Sequence, residues 1–439
     1  MKYIEPIKSL ILFFLVLTSL LLTFMIWSYK PDYPFTEDPQ THSILMGDKK
    51  NVSDVIKPYR MLFSTEEGFS GTVSTTAIDS VIQHFNQLKT KNFTFVNASL
   101  SVEKMNEMVR EPNRMTMFFQ NDVPLQTFRS VVALDEVESS EVVFNRLIID
   151  WNTVNETNQV QIFFVSTSNK TVYRVDMEIE NTAEFNELFI VQPKSYFEYV
   201  EHVRDNNLSL YVVASPQEEL QYTYIIDETR PELLKNLLFE DTSIVRKNTK
   251  GSTEEYTDSM SLLTINTETK DMTYVDLAAE SISVITPSNL FKYTFDFINE
   301  HGGFTDDYRF ASMNLQKHVV EYQLYLQNYP VFSATSLTRI TTTWGEDRIY
   351  RYRRPYAFLD FDLEMTIKEL DSGVDIVRYI ERHKELDLSK IDDIVVGYDL
   401  IHNSDSRLFR LEPSWFVITG NTSKRIPTER VGGDEYGLE

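Results

Sequence analysis

The 439 residues include no cysteine, which excludes a disulfide framework, a thiolate zinc site and a cysteine nucleophile together. Basic residues are also scarce, with 42 Lys and Arg against 66 Asp and Glu, a formal charge of −24. A surface of that sign repels phosphate backbones, so no nucleic acid is expected as a partner, and anionic polymers are disfavoured. The seven histidines are scattered, no two lying three or four apart as ligands on one helical face would. No Gly-x-Ser-x-Gly elbow, Walker A loop, His-Glu-x-x-His motif or EF-hand spacing is present. The expectation is a protein that is not an enzyme and needs no cofactor or metal.

What the sequence does contain is one long apolar run. From Ile7 to Trp27 the only charge is Lys8, at the end where its stem reaches the headgroups. At about 1.5 Å rise per residue a helix of this length spans about 30 Å, the thickness of a bilayer core. A cleaved signal peptide is the competing reading, but Met25-Ile26-Trp27-Ser28-Tyr29 sets bulky side chains where a peptidase requires small ones. The run therefore reads as a transmembrane anchor, with Trp27 and Tyr29 at the interface. A short flank before it and a polar bulk after it predict a single-pass protein of the cell membrane, N-terminus cytoplasmic and C-terminal bulk extracytoplasmic. A cysteine-free acidic ectodomain suits an exported Gram-positive protein better than an animal one.

Hydrophobic residues at 42% and aromatics at 13% predict a folded ectodomain, and the length suggests two or three domains. Residues 31–54, with Pro31, Pro34 and Pro39, read as a linker. Ile78, Val81, Ile82, Phe85 and Leu88 predict a helix over 75–88, and Val102, Met105 and Met108 another over 101–109. The methionines at 105, 108, 115 and 117 read as core filling rather than a soft ligand set. Residues 160–176 form an expected hairpin with a turn at 166–170. Pro193-Lys194-Ser195-Tyr196-Phe197-Glu198-Tyr199 and Pro287-Ser288-Asn289-Leu290-Phe291-Lys292-Tyr293 share Pro, Phe and Tyr at matching offsets. Each is expected to open a helix followed by strands, which predicts two successive α+β modules of similar topology. Leu359, Phe361, Leu363 and Met365 alternate with acids as a strand does, and Ser372 to Asp375 has capping-box spacing. The fold class expected is α+β: a 1–30 anchor, 31–54 linker, domains over 55–192, 193–285 and 286–427, and a 428–439 tail.

Glu5, Ile7, Lys8, Ser9, Ile11, Leu12, Leu17, Ser19, Leu22, Thr23, Met25, Trp27, Pro31 and Asp32, in that order and spacing, resemble the N-terminus of the YycH (WalH) family. Val396-Gly397-Tyr398 and Leu411-Glu412-Pro413-Ser414-Trp415 resemble the C-terminal segment of YycH and YycI proteins. The resemblance implies a single-pass accessory protein of a WalK-type sensor histidine kinase, in a two-component system controlling cell-wall metabolism. Val55 to Leu62 resembles the Pro-containing strand that opens the family's ectodomain, and the resemblance also implies a YycI-like sister protein as second partner and a three-domain ectodomain whose last two domains are alike.

Two sets of residues are candidates for partner contact. Ser19 and Thr23, four apart on one helical face with Leu12 and Ile26 near the same stripe, would let two anchors approach in the lipid bilayer. Arg351 and Arg353, interleaved with Tyr350 and Tyr352 in a basic cluster that also holds Arg348 and Arg354, form either a protein-contact patch or an ordinary solvated strand face. His301-Gly302-Gly303-Phe304 reads as a helix C-cap rather than an oxyanion loop. Asp306-Asp307 and Asp392-Asp393 read as solvated loops rather than glycosidase carboxylates. The regulator reading is carried against two alternatives, an extracytoplasmic binding module and a wall-acting hydrolase.

Overall fold

The computed structural model describes residues 12, 15–23, 47–85, 89–132, 141–279, 284–383, 386–402 and 406–427. Residues 1–43 and 44–439 form two separate units. In the first, residues 12 and 15–23 are helical. Among the described residues no helix is long and apolar enough to cross a membrane. Ile26, Trp27 and Tyr29 lie outside the described residues.

The second unit is built on two antiparallel sheets. The first holds β1 (Arg60–Thr65), β2 (Gly68–Thr72), β3 (Lys89–Asn97), β4 (Arg114–Pro124), β5 (Val143–Asp150), β6 (Gln159–Ser166), β7 (Thr171–Glu178), β8 (Phe197–His202) and β9 (Leu210–Val213). Their order is β3-β7-β6-β5-β4-β1-β2-β8-β9. The second holds β10 (Gln217–Glu228), β11 (Arg246–Lys250), β12 (Thr253–Thr257), β13 (Ser261–Asn266), β14 (Asp271–Asp276), β15 (Tyr308–Asn314), β16 (Val319–Leu326) and β17 (Tyr329–Phe332). It continues with β18 (Arg339–Trp344), β19 (Ile349–Pro355), β20 (Ala357–Leu370), β21 (Asp393–His402), β22 (Leu408–Thr419) and β23 (Thr422–Arg425). Along its main path the order is β11-β12-β13-β14-β19-β18-β16-β17-β21-β22-β10-β20, and only the β17–β21 pair is parallel.

Five longer helices cover these sheets: α1 (Thr75–Phe85), α2 (Val102–Arg110), α3 (Pro231–Leu238), α4 (Pro287–Glu300) and α5 (Gly373–Arg382). Ser101 caps α2 by accepting the Lys104 amide at 3.2 Å, and its Met105, Met108 and Val109 pack on Leu62, Phe118 and Ile148. The four methionines therefore fill core, as expected. At α5, Ser372 Oγ accepts the Asp375 amide at 3.2 Å and donates to the Asp375 carboxylate at 2.6 Å. The buried Ile376, Val377 and Ile380 of that helix pack with Leu210 and Val212 of β9. A Cβ on Gly373 would stand 2.6 Å from Val212 Cβ, so glycine there permits the close approach.

Three expectations change in detail. The opening strand starts at Arg60, after a single helical turn over Val52–Val55. Pro193 does not open a helix: an α-turn at Thr182–Asn186 and a π-turn at Glu187–Val191 precede it, a 3-10 turn at Gln192–Ser195 holds it, and Phe197 enters β8. Tyr199, opposite Phe69 of β2, is buried there, so sheet pairing overrides the helical spacing. Pro287 does open α4, where Thr286 caps the helix and Leu290, Phe291, Phe295 and Ile298 are buried. Strand pairing also crosses both expected boundaries, since β8 extends the first sheet and β10 lies between β22 and β20.

The last part of the expected linker is held against the body. Gly47 N donates to Gly302 O at 2.8 Å, and Asn299 exchanges hydrogen bonds with the Lys50 backbone, both at 3.0 Å. Lys50 Nζ reaches Asp306 O at 2.8 Å and lies 3.7 Å from the Asp307 carboxylate.

Candidate functional site

The two sheets meet at a buried arginine. Met61, Leu62 and Phe63 would make β1 an ordinary core strand, but Arg60 at its start is 4% exposed. Its guanidinium lies 4.6 Å from the Phe118 ring, donates to Tyr211 O at 3.1 Å and pairs with Asp393 Oδ2 of β21 at 2.9 Å. The Tyr59 hydroxyl donates to the same carboxylate oxygen. Burial, with Asp393 beside it, pushes the Tyr59 phenol far above its ordinary range. Burial works against the charge on Arg60, but Asp393 together with Tyr59 and Tyr199 outweighs it and the guanidinium stays protonated. Breaking one side of such a pair leaves a buried charge uncompensated, a cost of about 3–5 kcal/mol. The trio latches β1 to β21.

Beside the latch lies a cavity of about 290 Å³ whose lining includes Tyr59, Arg146, Arg204, Arg339, Asp392 and Asp393. Its guanidinium groups hold backbone. Arg204 donates to the carbonyls of Leu208, Leu388 and Ile391 at 2.6–2.8 Å, and Arg146 to those of Phe119 and Asn145 at 3.2 and 2.8 Å. Arg339 bonds Gln323 Oε1 and Asn421 O, each at 3.0 Å. Arg204 thereby ties the turn before β9 to the segment leading into β21, across the two sheets, while Arg146 and Arg339 each brace their own sheet. Among the described residues no cluster of three or more His, Asp or Glu is placed to hold a metal ion.

The arginine cluster divides by face. Arg351 and Arg353 lie on the exposed face of β19, while Tyr352 and Arg354 are fully buried. Tyr352 therefore leaves the contact patch: its hydroxyl accepts from Arg354, which also donates to Gly303 O at 2.7 Å. Arg353 is tied to Asp271 at 2.9 Å and to Ser336 Oγ at 2.8 Å. Arg351 lies 5.7 Å from the half-buried Tyr350 ring, and these two, with the exposed but ion-paired Arg353, remain as the accessible part of the patch.

His301 ends α4, and Gly302 and Gly303 follow with φ of 104° and 73°. A Cβ on Gly303 would stand 2.6 Å from Gly47 O, so glycine serves both the left-handed turn and the crossing of the 47–50 segment. Asp306 and Asp307 are not a catalytic pair. Asp306 accepts the Leu359 amide at 3.1 Å, and burial pushes its carboxyl up to about 6. Asp307 pairs with Arg309 at 2.7 Å. Asp393 is buried in the latch and is no solvated loop acid, whereas Asp392, which accepts the Gly420 amide, stays exposed in the loop before β21, as expected.

In the N-terminal unit, Leu12 is exposed, and Thr23 Oγ1 donates to Ser19 O at 2.8 Å within its own helix. The Tyr59–Arg60–Asp393 latch went unnoticed in the sequence. Its one local signal is a lone arginine entering Met61-Leu62-Phe63, a run buried on both faces of a strand.

The family described as YycH protein, N-terminal domain, matches residues 5–190, and YycH protein, C-terminal domain, matches residues 207–430. The two-component system WalR/WalK regulatory protein YycH of Bacillus subtilis (strain 168) is 22% identical over 443 residues, covering 94% of each chain. The crystal structure of YycH from Bacillus subtilis superposes with a TM-score of 0.75 at 20% identity, covering 88% of this chain and all of that one. The last likeness shows the fold.

Proposed function

The chain belongs to the YycH family, and from that membership we propose that it is a membrane-anchored regulator of a two-component system, binding a WalK-type sensor histidine kinase together with a YycI-like sister protein. The single observation that carries this reading is the full-length match to a relative named as a WalR/WalK regulatory protein. The apolar Ile7–Trp27 run supports attachment to the cell membrane. Two proteins confined to one bilayer meet at high effective concentration, so weak contacts suffice. Ser19, Thr23, Leu12 and Ile26 are the proposed anchor contacts, Trp27 and Tyr29 the interfacial belt, and Arg351 and Arg353 with Tyr350 the remaining ectodomain contact. The clamped cavity, with its arginines spent on backbone carbonyls, favours a non-enzymatic role.

Co-purification from detergent-solubilised membranes tests the reading. A sensor kinase and a second anchored protein are expected in the eluate, and Arg351→Glu is expected to lower recovery of the second without changing the melting temperature. Recovery of neither protein with the wild type contradicts the proposal, and unchanged recovery with the variant returns Arg351 to a solvated strand face.

A further inference from the structure

Two arginines share one aromatic ring beside the latch. Arg60 of β1 stands opposite Phe118 of β4, which stands opposite Arg146 of β5, and the two guanidinium groups lie 4.6 and 4.5 Å from the Phe118 ring. Arg60 has its counter-charge in Asp393. Arg146 is half-buried, lines the cavity between the sheets, and holds the carbonyls of Phe119 and Asn145 through Nη1 alone. Among the described residues its Nε and Nη2 have no hydrogen-bond acceptor and no carboxylate pairs with it.

The cavity walls carry Arg146, Arg204 and Arg339 against Glu321, Asp392 and Asp393. Asp393 is already neutralised by Arg60, which stands outside the lining, and Glu321 faces Arg339 at 3.7 Å. One positive charge is therefore left over in the cavity, although the whole chain carries −24. A partly desolvated guanidinium with free donors attracts an anion more strongly than one in water, and its planar fork matches a carboxylate. A doubly charged phosphate monoester would bring one charge too many. Leu208, Phe332, Ile391 and Ile418 supply an apolar wall. The volume of about 290 Å³ exceeds the roughly 150 Å³ that accommodates benzene. We propose that this cavity binds a small organic monocarboxylate, with its carboxylate on Nε and Nη2 of Arg146 and its apolar body against that wall. The proposal does not depend on kinase regulation, so either can fail alone.

Saturation-transfer NMR on the full chain in nanodiscs of zwitterionic lipid, with empty nanodiscs subtracted, tests it. The probe is benzoate, with benzamide as the neutral counterpart and benzylammonium as the cation. Benzoate is expected to bind saturably, and the other two at least fivefold more weakly, the reverse of what a net charge of −24 does by itself. Arg146→Gln should bring benzoate down to the level of benzamide while leaving benzamide binding and the melting temperature unchanged. Ser423→Trp, at a half-buried position of the lining, should abolish binding of both by filling the cavity. Equal binding of benzoate and benzamide to the wild type overturns the proposal, as does benzoate binding that survives Arg146→Gln. Absence of saturable benzoate binding also overturns it, since the cavity then holds only water. If Arg146→Gln lowers the melting temperature, Ser423→Trp decides, because benzoate binding that persists with the cavity filled lies elsewhere.

Discussion

Asp306 shows how a single residue records where the chain folds back on itself. Sequence alone set it beside Asp307 as half of a solvated acidic pair, but the crossing segment at Lys50 and the start of β20 bury it. Burial raises its carboxyl from 3.8 to about 6, against the opposing pull of Thr305, Arg354 and Lys50. A carboxyl raised in the folded state favours folding fully below its unfolded value, and that contribution is lost as pH rises through the folded value. Asp306→Asn mimics the protonated form and can still accept the Leu359 amide. It is expected to stabilise the protein at pH 7.5 by up to about 3 kcal/mol, with the gain vanishing below about pH 4. Urea melts at the two pH values measure this, and equal stability at both contradicts the assignment. The neighbouring acid illustrates the limit of reading residues singly: adjacent carboxylates look alike in sequence, while Asp307 is paired with Arg309 and half exposed.

At the scale of elements, local signals succeeded wherever a cap and a period agreed. The Ser101 and Ser372 caps and the stripes beneath them gave α2 and α5 within a residue or two. They failed at Pro193, where Phe197 and Tyr199 fit a strand next to β2 as well as a helix and the partner strand lies more than a hundred residues upstream. Nor does any local pattern reveal that the 47–50 segment crosses the Gly302-Gly303 turn. Gly303→Ala tests that crossing, because a Cβ meets both a left-handed φ and the Gly47 carbonyl. A loss of about 1–3 kcal/mol is expected, with faster amide exchange at Gly47 and Lys50. Unchanged exchange there would show that the segment docks by other contacts. The anchor helix offers a second test. The Thr23 hydroxyl is already bonded to Ser19 O, so replacing Ser19 and Thr23 by Leu acts mainly by adding bulk, which holds helix backbones apart. The double variant is expected to reach the membrane at normal level and recover several-fold less kinase, while Leu15→Ile with Leu21→Ile does not. Equal recovery from both makes the helix a tether only.

For the whole molecule, the resemblance at the two ends gave a family that both domain matches then covered. Less legible was how the parts are joined. The Arg60–Asp393 latch spans more than three hundred residues of sequence, and β10 enters the second sheet between two strands from the far end of the chain. Such pairings carry no signature in a single sequence because each partner strand is apolar in its own right. The 44–439 unit has its own core, so the contribution of the proposed anchor can be separated from it. The most direct test of tethered regulation compares phosphorylation of the sensor kinase in cells making the full chain with cells exporting residues 44–439 untethered. The account predicts that the full chain changes kinase phosphorylation and that the free ectodomain, at equal level, leaves it as in cells lacking the protein. An equal change from the free ectodomain would contradict it.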